Sequence, residues 1–343
     1  MLDLVSRSTS FARVDDPAAW TSAEVGGKAG LLRQLTPEEL AAADRFFEEM
    51  SDRQAESITA DELTDPALVA LAAEVRHAIM AGRGAIVLSG IDVEACGLEG
   101  FKRLYWAIGT HIGHGVEQSH RRDRIGFVQK EENNPTGRGY LMDVELRPHT
   151  DFHEVLSLSC VRASATGGES GLVSSLGIHN IILDERPDLL EPLYEGFYHE
   201  SAGGVVSDAK VPIFATVDGK TSCYYHPLFM HRAAKLMGVD LPAPLAEAMA
   251  YMGEVSQRSD VRAFFMLAPG EMMFWHNFTQ LHSREGFNDT PDHKRLLLRL
   301  WINVENGRPM PAVFHSRAKY MDEAHGAGTT AINYASEPDL ATR

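Results

Sequence analysis

Arg147-Pro148-His149-Thr150-Asp151-Phe152-His153-Glu154-Val155-Leu156-Ser157-Leu158-Ser159-Cys160-Val161 is the stretch from which the rest of the chain is read. From Val155 to Val161 apolar and small polar residues alternate, the period of a half-buried strand. Just before it, a His and an Asp stand two apart on an extended segment, so their side chains share one side. Gly167-Gly168-Glu169-Ser170 then turns the chain into a further strand.

Towards the N-terminus, Glu131 to Gly139 has the composition of a surface loop, Arg124 to Gln129 reads as a strand, and Phe101, Leu104, Tyr105, Ile108 and Ile112 mark a helix. Ala85-Ile86-Val87-Leu88, closed by Ser89-Gly90, reads as a buried strand. Two helices precede it. The first has Thr36 as N-cap, Pro37 at the first helical position, Glu39 as capping-box partner and a Leu35/Leu40 staple, and runs to about Met50. The second follows Asp65-Pro66, carries Leu68, Leu71, Val75 and Ile79 on one face and stops at Gly82. Residues 1–34 are polar, with no legible role.

Towards the C-terminus, helical segments at Leu176 to Glu185 and Asp188 to Glu195 are broken by Pro187. Pro212 to Val217, Asp218-Gly219 and Thr221 to His226 spell a hairpin. Pro242 to Val255 reads as a surface helix. A second hairpin is expected from Arg262 to Leu267, Ala268-Pro269-Gly270 and Met272 to Trp275. Arg295 to Val304 is a long strand, with Arg295, Leu297, Arg299 and Trp301 on one face and four aliphatic residues on the other. Short strands among helices, without regular alternation, favour a β-sandwich or jelly roll over a doubly wound sheet. The expected division is a helical extension over 1–83, a β-rich core over 84–310 and a peripheral tail over 311–343.

The chain of 343 residues is 44% hydrophobic, ample for a core, and its formal charge of −16 argues against nucleic-acid or anionic-membrane partners. Three scattered cysteines suit neither a disulfide framework nor a Cys-type zinc site, which points to a reducing compartment. Met1 to Trp20 lacks a secretory pattern and no apolar run reaches a membrane span, so the expected location is the cytoplasm.

His149 and Asp151 can share an ion, and His282 in Leu281-His282-Ser283-Arg284 is the best third ligand. Two His and a carboxylate form the facial triad of non-heme Fe(II) oxygenases. With 15 His and 48 acidic residues, about two His-x-acid matches arise by chance, so the plainer reading is a surface turn with an Asx-type Asp151. The arginines shift the balance. A guanidinium in an apolar strand needs an anion, either a protein carboxylate such as Asp289 or Asp292, or the distal carboxylate of a dicarboxylic co-substrate.

The ordered set His149-Thr150-Asp151, Gly167-Gly168-Glu169-Ser170, Leu281-His282-Ser283-Arg284-Glu285-Gly286-Phe287-Asn288-Asp289 and Arg295-Leu296-Leu297-Leu298-Arg299 resembles the taurine dioxygenase family, over about Gly84 to Val304. These Fe(II)- and 2-oxoglutarate-dependent oxygenases are grouped with phenoxyacetate dioxygenases and clavaminate synthase-like enzymes. The resemblance implies an α+β protein with a double-stranded β-helix, a cupin-like jelly roll, and flanking helices. It implies His149, Asp151 and His282 as Fe(II) ligands, Arg295 for the C5 carboxylate of 2-oxoglutarate, Ser170 as a hydrogen-bonding residue where relatives carry Thr, and Arg299 near the co-substrate or an anionic substrate. It further implies use of O2, release of succinate and CO2, oxidation of a C–H bond in a small organic molecule, and a homodimer. A carboxylate at Asp151 argues against halogenation.

Substrate contacts are expected from the loops Glu131 to Gly139 and Ser201 to Pro212. Gln118, His120 and Gln129 read by default as surface residues, Tyr224 and Tyr225 as packing, His276 and Asn277 as supports of the distal turn, and Arg284 with Asp289 as an ion pair. His153 is open between the site and the surface. A jelly-roll metal binder without turnover and a zinc hydrolase are the competing readings, and both leave Arg295 without an anion.

Overall fold

In the computed structural model, which describes residues 11–118, 122–132, 139–201 and 204–315, burial decides where each strand goes. Met272–His276 is buried along its whole length. It therefore lies inside a seven-stranded sheet, antiparallel to Ala85–Ser89 on one side and to Val155–Arg162 on the other. Leu296–Asn303 pairs antiparallel with Val155–Arg162 and carries Gly126–Val128 and His114–Gly115 beyond it. Leu32–Gln34, within the segment that had no legible role, adds the opposite edge by parallel pairing with Ala85–Ser89. A four-stranded antiparallel sheet has the order Ala263–Phe265, Ser170–Ser174, Gln280–Arg284, Leu146–His149.

The two sheets face each other as a jelly roll between helical layers. Leu298, Leu300 and Ile302 pack with Leu68, Leu71, Phe101 and Leu104 beneath the N-terminal helices. The alternate residues Leu297 and Trp301 turn inward to Leu156, Leu172, Phe265 and Trp275 between the sheets. On the far side, Val173 and Leu281 meet Ile178, Ile182, Met249 and Met252 of the later helices. Among the described residues, no helix is long and apolar enough to cross a membrane.

The sequence signals at the first helix act as written. The Thr36 hydroxyl accepts from the Glu39 N–H (3.2 Å), the Glu39 carboxylate accepts from the Thr36 N–H (2.7 Å), and Pro37–Glu49 is helical. Phe214–Val217 and Lys220–Cys223 form the expected hairpin, with Asp218 (φ 49°) and Gly219 (φ 73°) as its two-residue turn. The second expected hairpin does not form. Ala263–Phe265 joins the four-stranded sheet, Met272–His276 joins the seven-stranded one, and the turn between them crosses from sheet to sheet. The Gly270 N–H donates to the Cys160 carbonyl (2.9 Å), and a Cβ at Gly270 would meet the Ile91 carbonyl at 1.9 Å, so the turn is docked on the core.

Candidate active site

Three side chains converge beside the edge strand of the four-stranded sheet. His149 and His282 lie opposite each other on neighbouring strands, with ring centroids 4.2 Å apart. Pro148 is tolerated because Leu146–His149 is an edge strand. Asp151 follows as the chain leaves the sheet, and its backbone is clamped: its N–H donates to Asn277 Oδ1 (2.9 Å) and its carbonyl accepts from Asn277 Nδ2 (3.0 Å). Thr150 between them is tied to Tyr225, whose carbonyl accepts the Thr150 N–H (2.8 Å) and whose N–H donates to the Thr150 hydroxyl (3.0 Å). Nε2 of His149 is 3.8 Å from Asp151 Oδ1, and Nε2 of His282 is 3.8 Å from Asp151 Oδ2. One ligand atom from each residue falls within 4.8 Å of the others, the grouping a single ion requires.

The protonation states suit a metal. His149 Nδ1 lies 2.7 Å from the Arg147 carbonyl, which only an N–H can satisfy, so the lone pair falls on Nε2, the atom facing Asp151. Burial, with His149 next in importance, pushes the His282 imidazole down to about 3, so it is neutral at pH 7. Burial works to raise the Asp151 carboxyl, but the surrounding His282, His149 and Arg299 outweigh it and hold it below the usual carboxylate range. One imidazole nitrogen from each histidine and a carboxylate oxygen are a fitting donor set for Fe(II).

Two arginines from the neighbourhood of the Leu296–Asn303 strand are buried in the same interior. Arg295 is 2% exposed; its guanidinium lies over the Phe287 ring (5.1 Å), burial pushes it down to about 10, and Nη1 has no hydrogen-bond partner among the described residues. Asp289, the carboxylate considered for it, instead accepts the Arg295 backbone N–H (2.9 Å). An unpaired buried cation is the signature of a site that receives an anion. Gly168, at φ +81°, permits the approach, since a Cβ there would lie 3.3 Å from Arg295 Nε and 2.6 Å from Ser164 Oγ. Ser170 is buried and stands opposite Arg284 in the sheet register. Arg299 is sandwiched between Tyr140 (4.3 Å) and Trp301 (4.4 Å), with Nε donating to Gln118 Oε1 (2.7 Å).

Several expectations change. Gln118 is not a surface residue: it is fully buried and grips Arg299 from both ends, its Nε2 also donating to the Arg299 carbonyl (2.7 Å). Arg284 makes no ion pair with Asp289 among the described residues; its Nη2 donates to the carbonyls of Val144 (2.6 Å) and Met142 (2.8 Å), pinning that segment to the sheet. His153 is buried against Trp301, with Nδ1 2.9 Å from Asn303 Oδ1. His276 meets the buried Glu154 (3.2 Å), and Tyr224 and Tyr225 are core residues. His120 and residues 133–138 of the expected substrate loop lie outside the described residues. Sequence reasoning gave no active-site role to His226, whose ring is 5.3 Å from His149 and 3.9 Å from Phe229, or to the indole of Trp301, which donates to Asp151 Oδ2 (3.2 Å).

A jelly roll that brings two His and one carboxylate together, with a buried Arg295 whose Nη1 has no partner among the described residues, matches the donor set of the mononuclear iron oxygenases. Comparison with known proteins gives the family. The family described as "Taurine catabolism dioxygenase TauD, TfdA family" matches residues 38–301, and the chain belongs to it. The chain is similar to FR-33289 synthase of Streptomyces rubellomurinus, 28% identical over 318 residues covering 88% of this chain and 90% of that one. It is also similar to the taurine hydroxylase-like protein SAT17 of Stachybotrys chartarum, 31% identical over 56% of this chain and 51% of that one. Among solved structures, asparagine oxygenase in complex with Fe(II), hydroxyasparagine and succinate superposes with a TM-score of 0.59 at 16% identity, covering 80% of this chain and 93% of that one. The non-heme iron oxygenase OrfP in complex with Fe and α-ketoglutaric acid likewise gives 0.59 at 15% identity, over 83% of this chain and 99% of that one. The protein is an Fe(II)- and 2-oxoglutarate-dependent dioxygenase acting on a small molecule.

Proposed function

We infer that His149, Asp151 and His282 hold Fe(II), that Arg295 with Ser170 receives the distal carboxylate of 2-oxoglutarate, and that Arg299 receives an anionic group of the substrate. The observation that carries this reading is the convergence of the three ligand atoms within 4.8 Å, together with a buried Arg295 guanidinium that pairs with no carboxylate among the described residues. When bound, Fe(II), 2-oxoglutarate and O2 supply the oxidation that converts a C–H bond to C–OH with release of succinate and CO2.

The chain's own residues position and exclude. The Arg147 carbonyl keeps the proton of His149 on Nδ1 and its lone pair on Nε2. Asn277 fixes the backbone of Asp151 so that its carboxylate stays between the two imidazoles. Phe152, Phe229 and Trp301 form an aromatic wall, with centroids 5.8 and 5.9 Å from the central Phe152, and limit water near the reacting carbon. Arg299 is a buried cation held by Gln118, and its charge acts on Asp151, which supports an anionic group of the substrate on this side of the site. A hydrolase reading leaves Arg295 without a role.

The test is anaerobic addition of Fe(II) and then 2-oxoglutarate, followed in the visible spectrum. A weak metal-to-ligand charge-transfer band is expected, and its absence despite bound iron would overturn the co-substrate assignment. Succinate release is then screened over matched anionic and neutral small molecules; substrates confined to the neutral set would remove the role given to Arg299.

A further inference from the structure

Trp301 is 3% exposed, and its one polar atom, the indole N–H, donates to Oδ2 of Asp151 at 3.2 Å. A buried N–H takes an acceptor wherever the fold offers one, so the contact alone could be a tryptophan satisfying itself. Its surroundings give it a further role. The indole face carries the Arg299 guanidinium (4.4 Å), its other neighbours are Phe152 (5.9 Å, edge-on) and His153 (5.1 Å), and the Asn303 amide two residues along the same strand face holds His153 (2.9 Å). The ring is thus fixed from several sides, and the N–H is aimed rather than free to follow the carboxylate. Asp151 has its backbone held by Asn277, and the Trp301 N–H donates to its Oδ2, the oxygen that lies 3.8 Å from His282 Nε2.

We propose that Trp301 is a positioning residue for the iron centre: its indole N–H occupies Oδ2 of Asp151, biases the carboxylate towards ligation through Oδ1, and ties the metal ligand to the strand that carries Arg299. This rests on the reading of His149, Asp151 and His282 as iron ligands. The hydrogen bond withdraws charge from the carboxylate and restrains it from swinging, the two ways in which partners of a ligand tune a metal. No proton transfer is involved, because the indole N–H only donates.

The test compares Trp301→Phe, which removes the N–H and keeps an aromatic ring under Arg299, with Trp301→Leu, which removes both. Iron dissociation constants are measured by anaerobic titration, along with the energy of the Fe(II)–2-oxoglutarate charge-transfer band. Both variants are expected to bind iron about 10- to 100-fold more weakly, with the band displaced to lower energy as the carboxylate becomes a stronger donor. Iron affinity and band energy in Trp301→Phe equal to wild type, with only Trp301→Leu impaired, would overturn the proposal and leave Trp301 as packing. Should Trp301→Phe not fold, benzothienylalanine incorporated at position 301 keeps the indole shape without the N–H and carries the same two predictions. His282→Ala separates the two levels: wild type without iron binding sinks the ligand assignment itself, whereas wild type with iron, His282→Ala without it and an unshifted Trp301→Phe sinks the role of Trp301 alone.

Discussion

The four-stranded and seven-stranded sheets enclose one site but contribute different chemistry. The four-stranded sheet supplies imidazoles: His149 and His282 are cross-strand neighbours, fixed by the backbone register of two strands. The seven-stranded sheet, through one strand and its leading residue, supplies Arg295, Arg299 and Trp301. Under the proposed assignment, metal binding would depend on pairing within a sheet, and anion recognition on alternation along a strand whose other face is Leu298, Leu300 and Ile302 under the helices. Ser170 and Arg284 are paired on the four-stranded sheet, so the role proposed for Ser170 would put the border between the two functions at that pair.

If that division holds, substitutions in the two sheets separate two binding events. His282→Ala should have the largest effect, weakening iron by more than about 100-fold, beyond what loss of a supporting hydrogen bond costs, and abolishing turnover. Arg295→Ala should leave iron affinity near wild type and raise the 2-oxoglutarate needed for half-saturation by about two orders of magnitude, as expected when one partner of a buried charge pair is removed. Arg299→Ala should keep both and raise the substrate KM about 10- to 100-fold, equivalent to one charge-assisted hydrogen-bonded contact, read by succinate release once a substrate is found. Arg284→Met tests the border: it should cost about 2 kcal/mol in urea unfolding by stranding the carbonyls of Met142 and Val144, with a smaller change in 2-oxoglutarate affinity than Arg295→Ala. An equal change would merge the two sheets' functions.

The smallest effect belongs to the outer helical layer. Glu39 is held below its ordinary value, first by its hydrogen bonds from Arg33 (2.6 and 2.7 Å). A depressed folded-state value means that its contribution is present above the ordinary value of 4.5 and is lost as pH falls through the folded-state value. Glu39→Gln should therefore cost about 1 kcal/mol at pH 7, converge on wild type in acid, and leave turnover unchanged.

Local signals made much of this legible. The spacing of His149 and Asp151 needed only the strand period, and the cap at Thr36 needed only three residues of sequence. What failed was set by distant parts of the chain. Ala268-Pro269-Gly270 spells a turn, but not whether the strands it joins pair; the complete burial of Met272–His276 decides that they do not. Arg284 and Asp289 are close in sequence, yet Asp289 serves a backbone N–H and Arg284 reaches carbonyls more than a hundred residues away. Gln118 carries no local sign of burial, and the Trp301–Asp151 bond joins residues 150 apart.

The most direct test of the division is to measure bound iron and bound 2-oxoglutarate on the same anaerobic samples of wild type, His282→Ala and Arg295→Ala. The account predicts both ligands in wild type, neither at stoichiometric level in His282→Ala, and iron with weakened 2-oxoglutarate in Arg295→Ala. Loss of iron in Arg295→Ala to the same degree as in His282→Ala, or undiminished 2-oxoglutarate binding in Arg295→Ala, would contradict it.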